Sequence, residues 1–290
     1  MEEMSRIGPV KINMVITTAV ALQIITASAT MCSSDSKRHV PKYHLVQKFH
    51  RSKHSVAARA NFISLTSCRR LGIEKKALAL NFSPLYKSLE EDEFTCEVLK
   101  CPEVRGATSL TNDSRYDYYS IYAKPIADVN ATCGPATGMF YFLQLQLNSS
   151  QSQLSCSNMG GVLADVSSEH RTDALSQLLI GAGVPSAFVG MQRSDQKFYT
   201  TNGDPLDCTS YRAWSPGHPR RNASYSCVVL THQHTWRSVA CEDTLPSLCE
   251  IMPGGPYEPG SLYSKKGHSN GSGAQPSPLP WIINYMNSDF

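Results

Sequence analysis

From Phe140 to Leu147 bulky and polar residues alternate, which predicts a strand with one buried face. Asn148-Ser149-Ser150 follows as an N-cap, and the spacing predicts a helix to Asn158, ended by Gly160-Gly161. A second helix is expected from Ser167 or Ser168, with Ala174, Leu175, Leu178 and Leu179 on one face and a stop at Gly181-Ala182-Gly183. Ala187 to Met191 reads as a buried strand. Residues 194–226 are rich in turn signals, Asn202-Gly203, Asp204-Pro205 and Pro216-Gly217 among them, so little regular structure is expected there. Cys227–Leu230 and Thr235–Ala240 form a hairpin across a His232–His234 turn. Upstream, alternating Tyr and Ile at Tyr118–Tyr122 predicts a short strand, while Asn112-Asp113-Ser114 and Asn130–Pro135 read as turns. Beyond Pro253 the chain turns to Gly, Ser and Pro, a flexible tail over residues 253–290.

The N-terminus bears on the compartment. Arg6 and Lys11 precede an apolar run, Ile12 to Ile25, ending in Ala27-Ser28-Ala29. This reads as a signal peptide over residues 1–29, cleaved before Thr30. An uncleaved signal anchor is the alternative, although Asn13, Thr17, Thr18 and Gln23 interrupt the run. Ten cysteines then imply disulfides rather than metal thiolates. Six N-x-S/T sequons agree: Asn81, Asn112, Asn130, Asn148, Asn222 and Asn270. The expected product is secreted, glycosylated and not membrane-spanning once the signal is removed.

Charge changes the picture between residues 30 and 93. Lys37, Arg38, Lys42, Lys48, Arg51, Lys53, Arg59, Arg69, Arg70, Lys75 and Lys76 face only Asp35 and Glu74 before the run Glu90–Glu93. Such a stretch repels itself, so it reads as a flexible linker or removable pro-segment. An electrostatic arm for sulfated glycans, acidic lipids or nucleic acid is the alternative, and the acidic run can fold back on it. Residues 94–135, with Cys96, Cys101 and Cys133, read as a small cysteine-stapled extension.

An ordered set of residues carries a resemblance: Cys156 to Gly161, Phe188-Val189-Gly190, Trp214 with Pro216, Gly217 and Pro219, Cys227-Val228, Trp236, Cys241, Pro246 and Cys249-Glu250. It resembles the C-type lectin-like domain over residues 136–252. The resemblance implies an α+β fold of two helices, small antiparallel sheets and a long irregular loop region. It also implies bridges Cys156–Cys249 and Cys227–Cys241, worth about 4–5 and about 3 kcal/mol on the chain-entropy model. Cys32, Cys68, Cys96, Cys101, Cys133 and Cys208 remain unassigned, with 15 possible pairings among six cysteines.

In sugar-binding members of that family, calcium is held by a Glu-Pro-Asn or Gln-Pro-Asp triplet and a Trp-Asn-Asp triplet. The matching positions here are His218-Pro219-Arg220 and Trp236-Arg237-Ser238. Calcium takes oxygen ligands, and a guanidinium offers no acceptor. The sugar-site calcium is therefore expected to be lost, a shifted alignment using Asp204 or Asp207 being the alternative. In its place Arg220, Arg221, Arg237 and His218, beside Tyr211 and Trp214, suit an anionic ligand. The opposing reading is a solvated loop, which a glycan on Asn222 would crowd. Glu169 and Glu250 match a peripheral structural calcium site of the family; no other cofactor is expected. His232 and His234 have metal-like spacing but are expected in an exposed turn. Asp165, Glu169 and Asp173 read as the polar start of the second helix. No G-x-S-x-G, H-E-x-x-H or phosphate loop occurs, and oxidised cysteines cannot act as nucleophiles, so no catalysis is expected. The expected partner is an extracellular glycan, or alternatively a protein or matrix ligand; nucleic acid is not expected.

Overall fold

The computed structural model describes residues 40–84, 92–126 and 131–256. The signal segment, the Asn130 and Asn270 sequons and the tail beyond 256 lie outside those residues. Among the described residues, no helix is long and apolar enough to cross a membrane.

The basic stretch does not stay an open arm: from residue 40 onward it folds. Strands β1 (His44–Gln47), β3 (Val56–Ala60), β4 (Ala79–Phe82), β5 (Cys96–Leu99) and β7 (Asp117–Ser120) form an antiparallel sheet in the order β1-β7-β4-β5-β3. Helix α1 (Leu65–Glu74) starts at Ser64, whose hydroxyl accepts the Ser67 N–H at 3.2 Å. It packs on one face of the sheet and is bolted to it by Cys68–Cys96. Tyr43 lies beneath the helix, its hydroxyl donating to the Ala77 carbonyl at 2.7 Å. Gly72 permits that approach, because a Cβ there would come within 2.6 Å of the Tyr43 hydroxyl.

The reason that the sequence misled is the carboxylates. Glu97 is buried on the opposite sheet face, where its Oε1 pairs with Arg51 at 2.8 Å and with Arg59 at 3.1 Å. Glu93 pairs with Arg51 at 2.8 Å and also contacts Arg115, so this end of the acidic run meets the basic stretch; Glu90 and Glu91 lie outside the described residues. Neutralised in this way, the basic stretch buries Leu80, Phe82 and Val98 like any sheet. A two-stranded ribbon, β2 (His50–Ser52) with β6 (Leu110–Asn112), covers the face away from α1.

Neither boundary expected at 93/94 or 135/136 is a structural break. β5 and β7 complete the sheet that β1, β3 and β4 begin, and β8 (Thr132–Gly134) pairs with β9 (Gly138–Leu147) of the second sheet. One hydrophobic cluster runs from Tyr43, Leu80 and Tyr122 through Met139 and Tyr141 to Cys156, Cys249 and Ile251. Cys101–Cys133 staples the connection, and Cys208 is disulfide-bonded as well.

The second sheet holds β14 (Trp236–Val239), β13 (Cys227–Thr231), β11 (Ser186–Ser194), β15 (Leu245–Ile251), β9 and β8 in that order. β10 (Val162–Leu163) pairs with β15, and β12 (Lys197–Tyr199) with β11. Helix α2 (Ser149–Asn158) carries the expected Asn148 cap, completed as a capping box by Gln151. Helix α3 (Glu169–Gly181) buries Thr172, Leu175, Ser176 and Leu179, a face rotated from the expected one, with Ala174 and Leu178 half-buried. Two polar side chains are tolerated there because they are satisfied: Thr172 donates to the Val166 carbonyl and Ser176 to the Thr231 carbonyl. Gly190 marks where β11 crosses β10, since a Cβ would approach the Leu163 carbonyl oxygen to 2.6 Å. The two bridges that the resemblance implied, Cys156–Cys249 and Cys227–Cys241, are both formed.

The sequon at Asn81 is corrected by the fold. Asn81 is 0% exposed on central strand β4, and its Nδ2 donates to the Ser52 carbonyl at 2.9 Å and to Glu97 at 3.0 Å. A glycan has no room at that nitrogen. Asn112 and Asn222 are exposed and Asn148 is half-buried.

Candidate functional site

The long loop between β12 and β13 is irregular apart from one 3₁₀ turn, Leu206–Cys208, and its shape is held from below by aromatic rings. Trp236 is 0% exposed, with its Nε1 donating to Thr172 Oγ1 at 3.2 Å. Trp214 stands edge-on to it at 5.5 Å and tilts on Phe198 at 4.9 Å, while Tyr211 meets Trp236 edge-on at 5.3 Å. Main-chain bonds Trp236 N–H to Ala213 O and Ser215 N–H to Trp236 O tie the loop to β14. Trp236 is therefore frame, which removes it from the expected contact residues. Tyr211 and Trp214 are half-buried in the same packing.

Above that frame, the positions expected to hold ligands are tied to one another. The Ser238 N–H donates to His218 Nδ1 at 3.0 Å, and the Arg220 N–H donates to Ser238 Oγ at 2.8 Å. Ser238 Oγ also lies 3.1 Å from His218 Nδ1. Because Nδ1 accepts a backbone N–H, the imidazole is neutral with its proton on Nε2. Partial burial, then the nearby Arg237 and Arg220 charges, hold its pKa below the ordinary histidine value. His218 is joined to exposed Pro219 by a cis peptide bond.

Arg220, Arg221 and Arg237 are all exposed, and among the described residues no carboxylate is in ion-pair contact with any of them. Arg220 lies over the Tyr225 ring at 4.4 Å. The loop backbone there is gripped by Arg193, whose guanidinium donates to the carbonyls of Arg220 at 3.1 Å, of Arg221 at 3.4 Å and of Asn222. Sequence reasoning missed Arg193, since nothing in the local pattern of β11 marks a residue that reaches across 27 positions. Ser238 was visible only as the third member of a triplet, not as the hub it forms.

This donor set does not fit a calcium ion. The nitrogen of His218 and the hydroxyl of Ser238 are engaged with each other and with the backbone, and the adjacent charges are cationic. The peripheral pair fares no better. Glu250 is buried and contacts the Arg171 guanidinium, while Glu169 is exposed on the first turn of α3. Arg171 also donates to the carbonyls of Asp165 at 2.8 Å and Thr137 at 3.3 Å, so a guanidinium already occupies the centre of these oxygens. Burial pushes the Glu250 carboxyl up, against the pull of Arg171. His232 and His234 are half-buried rather than exposed: one bonds the Pro185 carbonyl at 3.0 Å and the other Asp173 at 2.8 Å. Among the described residues no group of three or more His, Cys, Asp or Glu is arranged to hold a metal.

Residues 145–251 match the family profile described as the lectin C-type domain. Pulmonary surfactant-associated protein D of Sus scrofa is 32% identical over 102 residues, covering 33% of this chain and 26% of that protein. Collectin-10 of Gallus gallus is 22% identical over 114 residues, covering 39% of this chain and 41% of that protein. The chain thus spans about a quarter to two fifths of the length of these relatives. Human lithostathine is a similar solved structure at 21% identity, covering 43% of this chain and 98% of that one, with a TM-score of 0.39. The scavenger receptor C-type lectin carbohydrate-recognition domain of mouse is another, at 18% identity, 39% and 86% coverage and a TM-score of 0.35. The profile match and the disulfide pairing agree, and residues 145–251 form a domain of the C-type lectin-like fold.

Proposed function

We propose that this is a secreted, non-catalytic recognition protein that binds an anionic glycan through Arg220, Arg221 and Arg237, independently of calcium. The observation that carries the reading is the cross-linked His218–Ser238–Arg220 hub with exposed, unpaired guanidinium groups around it. Planar guanidinium forks bind sulfate and carboxylate in bidentate fashion, and no carboxylate of the loop competes for them. Secretion is supported by four disulfides among the described residues and by the exposed sequons Asn112 and Asn222. The second reading is a protein-binding module. It draws on the packing of Trp214, Tyr211 and Trp236, which leaves the loop no fully exposed aromatic plate on which a sugar ring could stack.

The test is binding of the secreted protein to heparin, as the sulfated probe, and to mannan, as the neutral one. Each is run with calcium and with chelator, at low and moderate salt. Chelator-resistant heparin binding that weakens steeply with salt, and that Arg220→Ala with Arg237→Ala reduces, is the expected result. Mannan binding abolished by chelator overturns the reading. Binding to neither probe transfers the weight to a protein partner.

A further inference from the structure

The N-terminal sheet carries a polar cleft that the lectin-like loop does not use. It opens between edge strand β3 and the β2–β6 ribbon, on the sheet face away from α1, with a volume of about 500 Å³. That is within the range of small-ligand pockets. Glu97 lies at its floor, Arg59 on the β3 side, and Lys53, Thr111 and Asn112 along the ribbon; Val56 is the one apolar residue lining it.

The floor has no capacity left. Glu97 Oε1 accepts from Arg51 and Arg59, and its Oε2 accepts from Arg51 at 3.0 Å and from Asn81 at 3.0 Å. The three nitrogens of Arg51 are directed at Glu93 and Glu97, and those of Arg115 at Asp113 and Glu93. Asp113 is paired with Arg115 and His54 with Glu103, and the charges left over at the cleft are cationic. Arg59 is held only through Nε, at a side chain 51% exposed, which leaves its two terminal nitrogens as an open fork. Lys53 is exposed, and among the described residues no carboxylate is in ion-pair contact with it.

We propose that this cleft binds a single anionic group on a small hydroxylated ligand, an acidic sugar unit. The Arg59 fork and the Lys53 amine take the anion, and Thr111 Oγ1, which donates to the Arg51 carbonyl at 3.1 Å, accepts from a ring hydroxyl. The anion is a carboxylate or a sulfate, since both present paired oxygens to a guanidinium. A protein ligand fits less well, because protein interfaces are anchored by buried aromatic or aliphatic side chains and here only Val56 could receive one. The site is on a different sheet from the long loop and does not rest on the function proposed above. A glycan on Asn112 would stand at the rim, so the probe protein carries Ser114→Ala, which removes the acceptor sequence and keeps Asn112.

The experiment is an NMR titration of the ¹⁵N-labelled full chain with glucuronate, with N-acetylglucosamine 6-sulfate and with glucose. Amides of Lys53, Thr111 and Asn112 report the cleft; those of Arg220, Arg237 and Ser238 report the long loop. Saturable shifts at the cleft amides with one or both acids and none with glucose are expected, and the responding acid identifies the anion. Lys53→Ala, at an exposed position, weakens the titration about tenfold, the effect of one charge-assisted contact. Arg59→Lys keeps the charge, loses the fork and weakens it as well. The proposal is overturned if neither acid shifts the cleft amides saturably, if glucose shifts them equally, or if both variants titrate unchanged. Shifts confined to the long-loop amides likewise overturn it while leaving the long-loop reading standing.

Discussion

On the N-terminal sheet and its ribbon, Arg51, Arg59 and Arg115 lie against Glu93, Glu97 and Asp113; at the long loop and the adjoining strand β14, Arg220, Arg221 and Arg237 have no such partners among the described residues. Both regions are arginine-rich stretches with few acidic residues nearby in sequence. Their roles diverge because of what returns to them in space. The carboxylate that neutralises Arg51 comes from 46 residues downstream, on strand β5 of the sheet that the β2–β6 ribbon covers, and is itself buried. Arg220 and Arg221 are instead fixed through their backbone, by Arg193 and Ser238, and Arg237 by its place in the β13–β14 ladder, so their side-chain charges stay available. A guanidinium with a buried carboxylate is structure; one held only by its main chain is a candidate for recognition.

Removing the carboxylate breaks that contrast most sharply. Glu97→Ala leaves Arg51, Arg59 and Asn81 without their shared acceptor at a site 2% exposed. Loss of one partner from a buried ion pair costs about 3–5 kcal/mol. Urea unfolding of the variant should therefore show a midpoint well below that of the parent, or no secreted protein at all. An unchanged midpoint would mean that the network is surface decoration and that the sheet is held by its apolar face alone.

Acid separates the regions next. Burial pushes the Glu97 carboxyl up, but hydrogen bonds from Arg51, Asn81 and Arg59 outweigh it and hold the pKa below the usual carboxylate range. Its stabilisation is complete above the ordinary glutamate pKa and is lost as pH falls through the depressed folded value. His218 is also depressed, by burial and then by Arg237 and Arg220, so its contribution is complete above the ordinary histidine pKa and is lost as pH falls through its own folded value. A protonated Nδ1 cannot accept the Ser238 N–H. Mild acid should accordingly deprotect the Ser238 amide to hydrogen exchange while Asn81 and Glu97 amides stay protected, and stronger acid should release those too. Simultaneous loss of protection in both places would show that the loop and the sheet are not separately held.

Which of these features could be read along the chain follows from how local their causes are. Helix α2 was legible because its Asn148 cap and its stop at Gly160 lie within a dozen residues. The bridges Cys156–Cys249 and Cys227–Cys241 were legible only through the family resemblance, which fixes their partners by order. The N-terminal sheet was not. β2 and β3, with the sequences HRS and VAARA, have no run of large apolar residues, and their charges are cancelled only by strands that arrive 40 or so residues later. Asn81-Phe82-Ser83 has the form of a glycosylation site, and nothing within three residues says that Ser52 and Glu97 will claim the amide. At the loop, the aromatic residues and the arginines were visible as a set, but Trp236 looks the same in sequence whether it faces a ligand or, as here, Thr172 and the core.

The smallest expected effect on stability is at Arg237, and it is the one that tests the contrast from the other side. The side chain is exposed on β14 with no carboxylate in contact, so Arg237→Ala should change the unfolding free energy by no more than about 0.5 kcal/mol, as surface substitutions do. It should nevertheless change two things. Arg237 is one of the charges that depress His218, so its removal should let the His218 pKa rise toward the ordinary value, a shift readable from the imidazole carbon protons by NMR. It should also weaken heparin binding several-fold and reduce its salt dependence, because one fewer cation meets the polymer. Arg59→Ala should show the reverse balance, with a measurable loss of stability through Glu97 and no effect on heparin retained by the loop. If Arg237→Ala destabilised the domain as much as Arg59→Ala, the loop arginines would be structural like those of the sheet. The long loop would then be a closed scaffold, and recognition would have to lie on another face.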